Sequence, residues 1–387
     1  MRVEGYWSRD TPPPSFLKTL GVAWGAVMAR RRELYRKGVL KSREAPVPVV
    51  SVGNITVGGS GKTPMCIFLA NALAERGWTP AVVSRGYGRK GAPALPDPVL
   101  VSAGDGPLVP WELSGDEPAL IALESPAMVL CSRDRLEGAH EAARLGADVV
   151  ILDDGFQHLK IRRDVDILMF QSEDHLGNGC VLPAGPLREP LSACADATLV
   201  CVVGRHVHPA LERLAGDRPL FRLRPTPLRL KDPRSGASWG FSALEGVRFS
   251  AFCGIARPWG FKKAMAGLGL VPAAFKAFPD HCPYGPAERD FLEKLLRFTG
   301  SQALLSTAKD AVKLKDLKVP LLVLEAAPVP DEPEGLLDAV IAGLARHGGS
   351  GTAPDASREG SPGPADGAGP GDAGPAGDAG TGQGAGE

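Results

Sequence analysis

A glycine-rich run with a single lysine, Gly58-Gly59-Ser60-Gly61-Lys62-Thr63, separates a strand-like segment from a helix-like one. Residues 46–52, before the run, are short, apolar and rich in valine, which is typical of a buried strand. Residues 65–75, after it, are apolar over the length of a helix. A loop of this kind presents backbone amides at the helix N-terminus, where they surround a phosphate. The sequence therefore predicts a phosphate-binding loop.

The lysine and the threonine of this run define the chemistry of the predicted loop. Lys62 supplies a point charge to the outer phosphates of a nucleotide, and the Thr63 hydroxyl ligates Mg²⁺. The full pattern has a glycine six positions before the lysine, where this chain has Thr56. The alternative is a glycine-rich turn that holds a lysine by coincidence. We predict that ATP is bound by the loop residues Thr56, Val57, Gly58, Gly59, Ser60, Gly61, Lys62 and Thr63.

Two adjacent carboxylates, Asp153 and Asp154, follow the apolar run at residues 149–152. Neighbouring carboxylates at a strand end repel each other unless a cation neutralises them. Phosphate-loop proteins hold Mg²⁺ with an acidic residue at such a position. A solvated turn after the strand is the alternative. We predict that Asp153 and Asp154 bind Mg²⁺ together with Thr63.

The rest of the chain repeats the order strand, turn, helix. Continuous apolar runs occur near residues 81–83, 127–130, 149–152 and 199–203, and helical segments lie between them. This order predicts an α/β fold with a parallel sheet covered on both faces, of the phosphate-loop nucleotide triphosphatase type. Residues 220–245 are rich in proline and arginine and are predicted to be a connection. A second, smaller α/β domain follows, with strands near 249, 303–306 and 320–324 and a final helix near 333–346.

Composition limits the class of protein. The 387 residues carry 44 basic and 44 acidic side chains, and a chain without basic excess is not a general nucleic-acid binder. Seven cysteines without a C-x-x-C pair exclude a disulfide scaffold and a cysteine zinc site, and they favour a reducing, cytosolic compartment. We predict four regions: an N-terminal helix in 1–44, a phosphate-loop domain in 45–220, a linker and smaller domain in 221–346, and a disordered tail in 347–387.

The N-terminal region predicts an amphipathic helix over residues 15–37. Three prolines at 12–14 end any earlier helix, and Ser15 is predicted to cap the new one. An apolar face with Trp24 is followed by the basic run at residues 30–32. This pattern suits a helix at the surface of an anionic membrane, and a helix packed on the main domain is the alternative.

Further blocks of the chain resemble the tetraacyldisaccharide 4'-kinases, the lipid A 4'-kinases. In that family a threonine at the position of Thr56 is ordinary, whereas Cys282 stands where a histidine or an aromatic residue is expected. The resemblance covers about residues 14–346 and leaves out the tail. Its blocks are residues 51–64, 84–88, 115–118, 134–135, 153–158, 182–190, 278–281 and 307–310.

The resemblance implies phosphoryl transfer from ATP to the sugar hydroxyl of a lipid-linked disaccharide, at the cytoplasmic face of the bacterial inner membrane. Such a substrate stays in the bilayer, which favours the membrane interpretation of the N-terminal helix. An aspartate that reaches the sugar hydroxyl orients it and takes its proton. The resemblance assigns this base to Asp116 and pairs it with His281. By pattern alone Asp116 is a surface turn residue.

The remaining candidate residues are assigned to charge stabilisation, metal and substrate. Arg188 is expected to stabilise the transferring charge and Glu189 to support Mg²⁺, with a surface ion pair as the alternative. Arg135 and, with less support from the pattern, Arg85 are expected to contact a substrate phosphate. Gln157 and His158 place an amide and an imidazole beside the metal and are assigned to substrate binding.

Two other functions remain open at this point. A kinase for a soluble small molecule leaves the basic amphipathic helix unexplained. A membrane-associated switch ATPase or GTPase hydrolyses its nucleotide without an acceptor. GTPases usually carry an Asn-Lys-x-Asp guanine-reading motif, and the nearest run, at residues 307–310, lacks the asparagine. No obligate protein partner is expected from the sequence.

Overall fold

The computed structural model describes Trp7 and residues 11–86, 97–172 and 176–347. Tyr87 and Gly88, which belong to one of the resembling blocks, lie outside the described residues. The predicted disordered tail also lies outside them, apart from His347.

The helices of the described residues cover the two faces of a sheet. They are α1 (Ser15–Arg36), α2 (Lys62–Ala74), α3 (Trp111–Ser114), α4 (Asp116–Glu124), α5 (Arg135–Arg144), α6 (Pro209–Ala215), α7 (Pro258–Gly267), α8 (Pro286–Thr299), α9 (Ala308–Ala311) and α10 (Pro333–Leu344). The strands are β1 (Val49–Gly53), β2 (Pro80–Ser84), β3 (Val99–Ser102), β4 (Met128–Cys131), β5 (Val149–Asp153), β6 (Val165–Gln171), β7 (Leu199–Val203), β8 (Leu220–Lys231), β9 (Ser238–Trp239), β10 (Phe249–Cys253), β11 (Phe275–Ala277), β12 (Ala303–Ser306) and β13 (Leu321–Pro330).

These strands form one sheet in the order β11-β10-β12-β13-β8-β7-β6-β1-β5-β2-β4-β3, and β9 pairs with β8. All neighbours from β8 to β4 are parallel, as are those from β11 to β13. The long strand β8 pairs antiparallel with β13 and so joins the two parallel parts. The predicted α/β fold with a parallel-dominated sheet is confirmed. The division into domains at 45–220 and 221–346 stays a prediction.

The unit formed by β1 and α2 lies at the centre of the core. Every residue of β1 is buried because the strand lies between β5 and β6. Met65 and Leu69 of α2 share one buried cluster with Val50 and Ile151 of the sheet. Complete burial of a large apolar side chain stabilises the fold by about 1.5–3 kcal/mol. The loop between β1 and α2 is therefore held at both ends by well-packed elements.

Three details of the sequence prediction are wrong. The first half of residues 220–245 is the strand β8, not a connection, and its proline and arginine content hid the strand pattern. Ser15 does not cap α1 but is its first residue, with Pro14 at the cap position and no side-chain cap. The strands β3 and β6 were not predicted, although β6 is a run of seven residues that is buried over six of them.

The helix α1 packs on the segment 179–190 through one side only. Leu17, Gly21 and Arg32 are buried on that side. A Cβ atom on Gly21 would lie 2.6 Å from the Val181 carbonyl oxygen, so the close approach requires glycine there. The other side exposes Phe16, Leu20, Val22, Trp24 and Val27. Within the described ranges, no helix has the length and apolar character needed to span a bilayer.

Candidate active site

The loop between β1 and α2 is shaped by two glycines and fixed by a second loop. Gly58 and Gly61 have φ angles of 108° and 84°, in the region that favours glycine. The Val57 amide donates to the Pro186 carbonyl at 2.8 Å, and the Arg188 amide donates to the Ile55 carbonyl at 2.7 Å. The predicted phosphate loop and the block at 182–190 are therefore one structural unit.

The side chain of Lys62 is directed to the carboxyl end of the sheet. Its Nζ lies 3.2 Å from Asn54 Oδ1 and 3.4 Å from Asp154 Oδ1. The Asn54 amide nitrogen in turn donates to the Thr56 carbonyl at 2.7 Å. Asn54 thus joins the lysine to the loop. The sequence pattern gave Asn54 no role, because an asparagine after a strand is usually only a turn residue.

The loop has a buried donor that is left for a ligand. Ser60 is 2% exposed, and its Oγ has no hydrogen-bond partner among the described residues. A buried hydroxyl without a partner costs about 1–3 kcal/mol. Together with the Lys62 ammonium and Thr63 at the start of α2, this hydroxyl fits a phosphate group.

Asp153 ends β5, beside the end of β1, because the two strands are parallel and adjacent. The Ser84 hydroxyl donates to its Oδ2 at 3.2 Å, and Cys66 Sγ lies 3.8 Å from its Oδ1. Burial, together with the charges of Glu117 and Asp154, raises the pKa of Asp153 to about 7. An ionised carboxylate is therefore unfavourable here without an added cation. Oxygen donors of this kind suit a hard cation such as Mg²⁺.

Asp154 faces two basic groups. Arg188 Nη1 lies 2.8 Å and 3.0 Å from its two carboxylate oxygens, and Lys62 approaches the same carboxylate. Burial alone would raise the pKa of Asp154, but Lys62 and Arg188 together lower it. Its φ of 55° is uncommon for a non-glycine residue and turns the chain at this point. The structure thus brings together Lys62, Asp153, Asp154 and Arg188.

The other predicted residues around this centre have mixed exposure. Arg135 is 3% exposed, donates to the Asp153 carbonyl at 3.3 Å, and has no described partner for its Nε. Burial and the Arg135 charge lower the pKa of His158 to about 4, so its imidazole is neutral at pH 7. Gln157 Nε2 donates to the Asn54 carbonyl at 2.9 Å. Arg85 is exposed after β2.

Glu189 lies in a different environment from the two aspartates. It is 1% exposed, and its Oε2 accepts from Arg32 Nε of α1 at 2.9 Å. Arg32 also contacts Asp196 at 2.6 Å and lies over the Phe156 ring. Among the described contacts, none joins Glu189 to Asp153 or Asp154. Its Oε1 has no described hydrogen-bond partner.

The predicted pair of Asp116 and His281 is present as a direct contact. Asp116 is the first residue of α4, and His281 follows β11 with a φ of 57°. The distance from His281 Nδ1 is 3.1 Å to Asp116 Oδ1 and 3.0 Å to Oδ2. Burial would raise the pKa of Asp116, but the His281 hydrogen bond and the Lys309 and Lys313 charges lower it to about 2.

Two lysines that the sequence analysis did not single out complete this cluster. Lys309 Nζ lies 3.2 Å from His281 Nε2 and 3.4 Å from Glu117 Oε1. Lys313 Nζ lies 3.2 Å from Asp116 Oδ2. The signal in the sequence is their spacing of four residues, which puts both on one side of a helical turn. The charge of Glu117, whose Oε1 contacts Lys309, also contributes to the raised pKa of Asp153 at the end of β5.

The fold and the site define a phosphate-loop nucleotide-binding protein. They combine a largely parallel sheet, a glycine-rich loop with a lysine at the helix start, and an acidic pair at the end of the adjacent strand. The family model described as Tetraacyldisaccharide-1-P 4'-kinase matches residues 14–342. The chain belongs to this family.

Named relatives and a solved structure agree with the family assignment. A tetraacyldisaccharide 4'-kinase of Xanthomonas euvesicatoria is 39% identical over 81% of this chain and 88% of its own length. The corresponding kinase of Halorhodospira halophila is 38% identical over 89% of this chain and 97% of its own length. The crystal structure of LpxK from Aquifex aeolicus in complex with ATP superposes with a TM-score of 0.70 at 32% identity, over 84% of this chain and 98% of that chain.

Proposed function

We propose that this chain is an ATP-dependent kinase that phosphorylates the 4'-hydroxyl of a tetraacyl disaccharide 1-phosphate in lipid A biosynthesis. The observation that carries the proposal is the direct contact between Asp116 and His281. A kinase needs a residue that orients the acceptor hydroxyl and takes its proton, and an aspartate held by a histidine can do both. The named relatives carry the same activity in their names.

In the proposed reaction, the sugar 4'-oxygen attacks the γ-phosphorus of ATP. A bond from this oxygen to phosphorus forms, the bond to the β–γ bridging oxygen breaks, and ADP leaves. The hydroxyl proton passes to the carboxylate of Asp116. A carboxylate with a pKa near 2 is a weak base, so its main contribution is to orient the hydroxyl until bond formation makes the proton acidic.

The positive charges around the loop are proposed to bind the transferring phosphoryl. Lys62 and Arg188 both contact the carboxylate of Asp154. Charges that are already oriented stabilise a phosphoryl transition state without reorganisation. Ser60 and the loop amides from Thr56 to Thr63 are proposed to hold the β- and γ-phosphates.

Thr63, Asp153 and Asp154 are proposed to hold Mg²⁺, which when bound neutralises phosphate charge. The support is the position of the two carboxylates at the end of β5, beside the end of β1, together with the burial of Asp153, which raises its pKa to about 7. Glu189 is the remaining metal candidate, and its Oε2 is bound to Arg32 at 2.9 Å.

Substrate binding is proposed for Arg85, Arg135, Gln157 and His158. The guanidinium Nε of Arg135 has no hydrogen-bond partner among the described residues and could bind a substrate phosphate. Arg85 follows the carboxyl end of β2 and offers an exposed charge. Neutral His158 and the Gln157 amide offer hydrogen bonds to sugar or amide groups.

The helix α1 is proposed to lie at the cytoplasmic surface of the inner membrane, and the kinase is peripheral. The exposed apolar side chains lie on the side of α1 that does not pack on residues 179–190. Exposed Lys18 and Arg30 on the same helix fit anionic headgroups.

Mass spectrometry of a lipid disaccharide 1-phosphate acceptor, incubated with the chain, ATP and Mg²⁺, tests the function. The proposal expects one added phosphate that depends on enzyme and is lost in Asp116→Asn. ATP hydrolysis with no acceptor product supports a switch ATPase instead. Phosphorylation of a soluble sugar at the same rate supports a kinase for small molecules.

A further inference from the structure

Lys313 is a cation in the interior of the protein. Its side chain is 1% exposed, and its Nζ lies 3.2 Å from Asp116 Oδ2 and 3.9 Å from Asp310 Oδ1. Asp310 is itself fully buried and accepts from the Tyr284 hydroxyl, the Gly254 amide and Thr307. A buried ammonium is costly unless it is paired. Because Asp310 has its own donors, Asp116 is the carboxylate that Lys313 serves most directly.

The donors around Asp116 leave one acceptor position open. An ionised carboxylate has about four lone-pair positions. Among the described residues, three donors reach Asp116: the Glu117 amide at 3.1 Å, His281 Nδ1, and Lys313 Nζ. A single Nδ1 proton occupies one position even though it lies close to both oxygens. The remaining position is available to a sugar hydroxyl, and the orientation of the carboxylate is fixed by the other three.

The contact between Lys309 and His281 determines where the imidazole carries its proton. A lysine ammonium has donors only, so Lys309 Nζ, at 3.2 Å, donates to His281 Nε2. Nε2 is then an acceptor, and the proton of the neutral ring is on Nδ1, facing Asp116. Protonation of Nε2 would place an N–H against the ammonium and displace it.

We infer that Lys309 and Lys313 are positioning residues of this site: Lys309 keeps the proton of the neutral His281 ring on Nδ1, and Lys313 holds Asp116 with one acceptor position open for the sugar hydroxyl. The inference rests on the proposed function, because only a kinase has a hydroxyl to place there. The two lysines then hold the Asp116 carboxylate and the His281 imidazole in a fixed relative orientation, although the two residues are far apart in sequence.

The charges around this cluster act in defined directions. Asp116 faces His281, Lys309 and Lys313, while Lys309 also faces Glu117 and Asp280, and Lys313 faces Asp310. His281 Nε2 also lies 3.8 Å from Asp280 Oδ2, farther than the 3.2 Å to Lys309 Nζ, and the charge of Asp280 raises the pKa of His281. The hydrogen bond to Asp116 raises the pKa of His281, against burial and the charge of Lys309. Removal of the Lys309 charge therefore raises this pKa further.

Nuclear magnetic resonance of the full chain labelled with ¹⁵N-histidine tests the tautomer directly, and His281→Gln assigns the signal. At a pH above the midpoint of the His281 titration, the inference predicts a neutral ring protonated on Nδ1 in the wild-type protein. In Lys309→Met the midpoint of the His281 titration moves to higher pH. In Lys315→Met, which changes an exposed lysine nearby, it does not move. A wild-type signal from a ring protonated on Nε2, or an unchanged midpoint in Lys309→Met, overturns the assignment for Lys309.

Kinetics with the lipid acceptor test the positioning role. Mutation of residues that orient metal ligands typically lowers metal affinity or activity by about 10- to 100-fold. We expect a comparable loss of kcat in Lys309→Met and Lys313→Met. The KM for ATP should not change, and Lys309→Arg should recover part of the loss. Lys313→Met removes a buried charge, so its thermal unfolding is measured in parallel. Lys309 is less buried, with 19% of its side chain exposed, so Lys309→Met keeps the test valid if Lys313→Met does not fold. Wild-type kcat in Lys309→Met contradicts the inference. A wild-type enzyme that forms no lipid product contradicts the proposed function, while the tautomer measurement still stands.

Discussion

His281 Nδ1 lies 3.0 Å from Asp116 Oδ2, although 165 positions of sequence separate the two residues. Asp116 is the first residue of α4, and His281 lies in the loop after β11. The strand β11 is at the edge of the sheet, whereas β6 and β1 are at its centre. A carboxylate that is 4% exposed and bonded to a histidine is a specific arrangement, not a solvated turn. The account of this protein as a kinase depends on this pair.

Removal of the phosphate-loop lysine tests the nucleotide site. Lys62→Ala removes a charge that is directed at the transferring phosphoryl, and we expect a loss of about 3 kcal/mol or more, which is about 10²-fold in kcat/KM. The measurement is steady-state transfer from ATP to the lipid acceptor. Lys315→Ala is the matched control, because it removes an exposed lysine at a distance from the loop. Wild-type turnover in Lys62→Ala would remove the loop from the active site.

The two aspartates after β5 should differ in how they depend on Mg²⁺. Asp153→Ala removes the carboxylate with the raised pKa, so we expect the Mg²⁺ requirement to rise or turnover to disappear. Asp154→Ala should do the same and also release Lys62 and Arg188. Mg²⁺ titrations of turnover measure both effects. Normal titrations in both variants place the metal site elsewhere.

Membrane association should depend on the exposed charges of α1. The structure excludes Arg32 from such a test because its buried side chain binds Glu189 and Asp196. Lys18→Glu with Arg30→Glu changes exposed residues only. Each basic residue near an anionic surface contributes about 1 kcal/mol to membrane binding. The two reversals should therefore weaken the binding free energy by at least about 2 kcal/mol, which is about 30-fold in partitioning. Sedimentation with anionic vesicles at low salt measures it.

The control for this experiment is the pair Lys315→Glu and Lys318→Glu, which reverses two exposed charges outside α1. High salt should weaken binding of the wild-type protein, since exposed charges are screened within about 10 Å at 0.1 M. Equal vesicle binding by the α1 variant and the control would contradict the assignment of this helix to the membrane surface.

The buried ion pair between Arg32 and Glu189 should stabilise the docking of α1. Arg32→Met leaves Glu189 buried without its partner, and breaking such a pair costs about 3–5 kcal/mol. Urea unfolding should therefore show a lower free energy of unfolding. The double variant with Glu189→Gln should recover part of the loss, because it removes the uncompensated charge. Equal stability of wild type and Arg32→Met would show that the pair contributes nothing to docking.

Patterns of short range in the sequence predicted the phosphate loop, the acidic pair and the parallel strands, because each depends on neighbouring residues. The strand β8 escaped prediction because its prolines and arginines are not typical of a strand, although it pairs antiparallel with β13 and parallel with β7. Asp116 and His281 were assigned from family resemblance. Lys313 was missed because its role depends on contacts that only the tertiary fold creates. Glu189 was assigned to metal because no local pattern reveals its partner Arg32.

A double-mutant cycle on Asp116 and His281, measured as kcat for the lipid acceptor, tests the central claim most directly. Asp116→Ala should lower kcat by about 10²–10⁴-fold, the range of a positioned acid or base, with little change in ATP binding. His281→Ala should cost less, and the double variant should be little worse than Asp116→Ala, since residues that act as a unit are not additive. If the two effects simply multiply, His281 acts independently of Asp116, and the account of this site as a coupled pair is wrong.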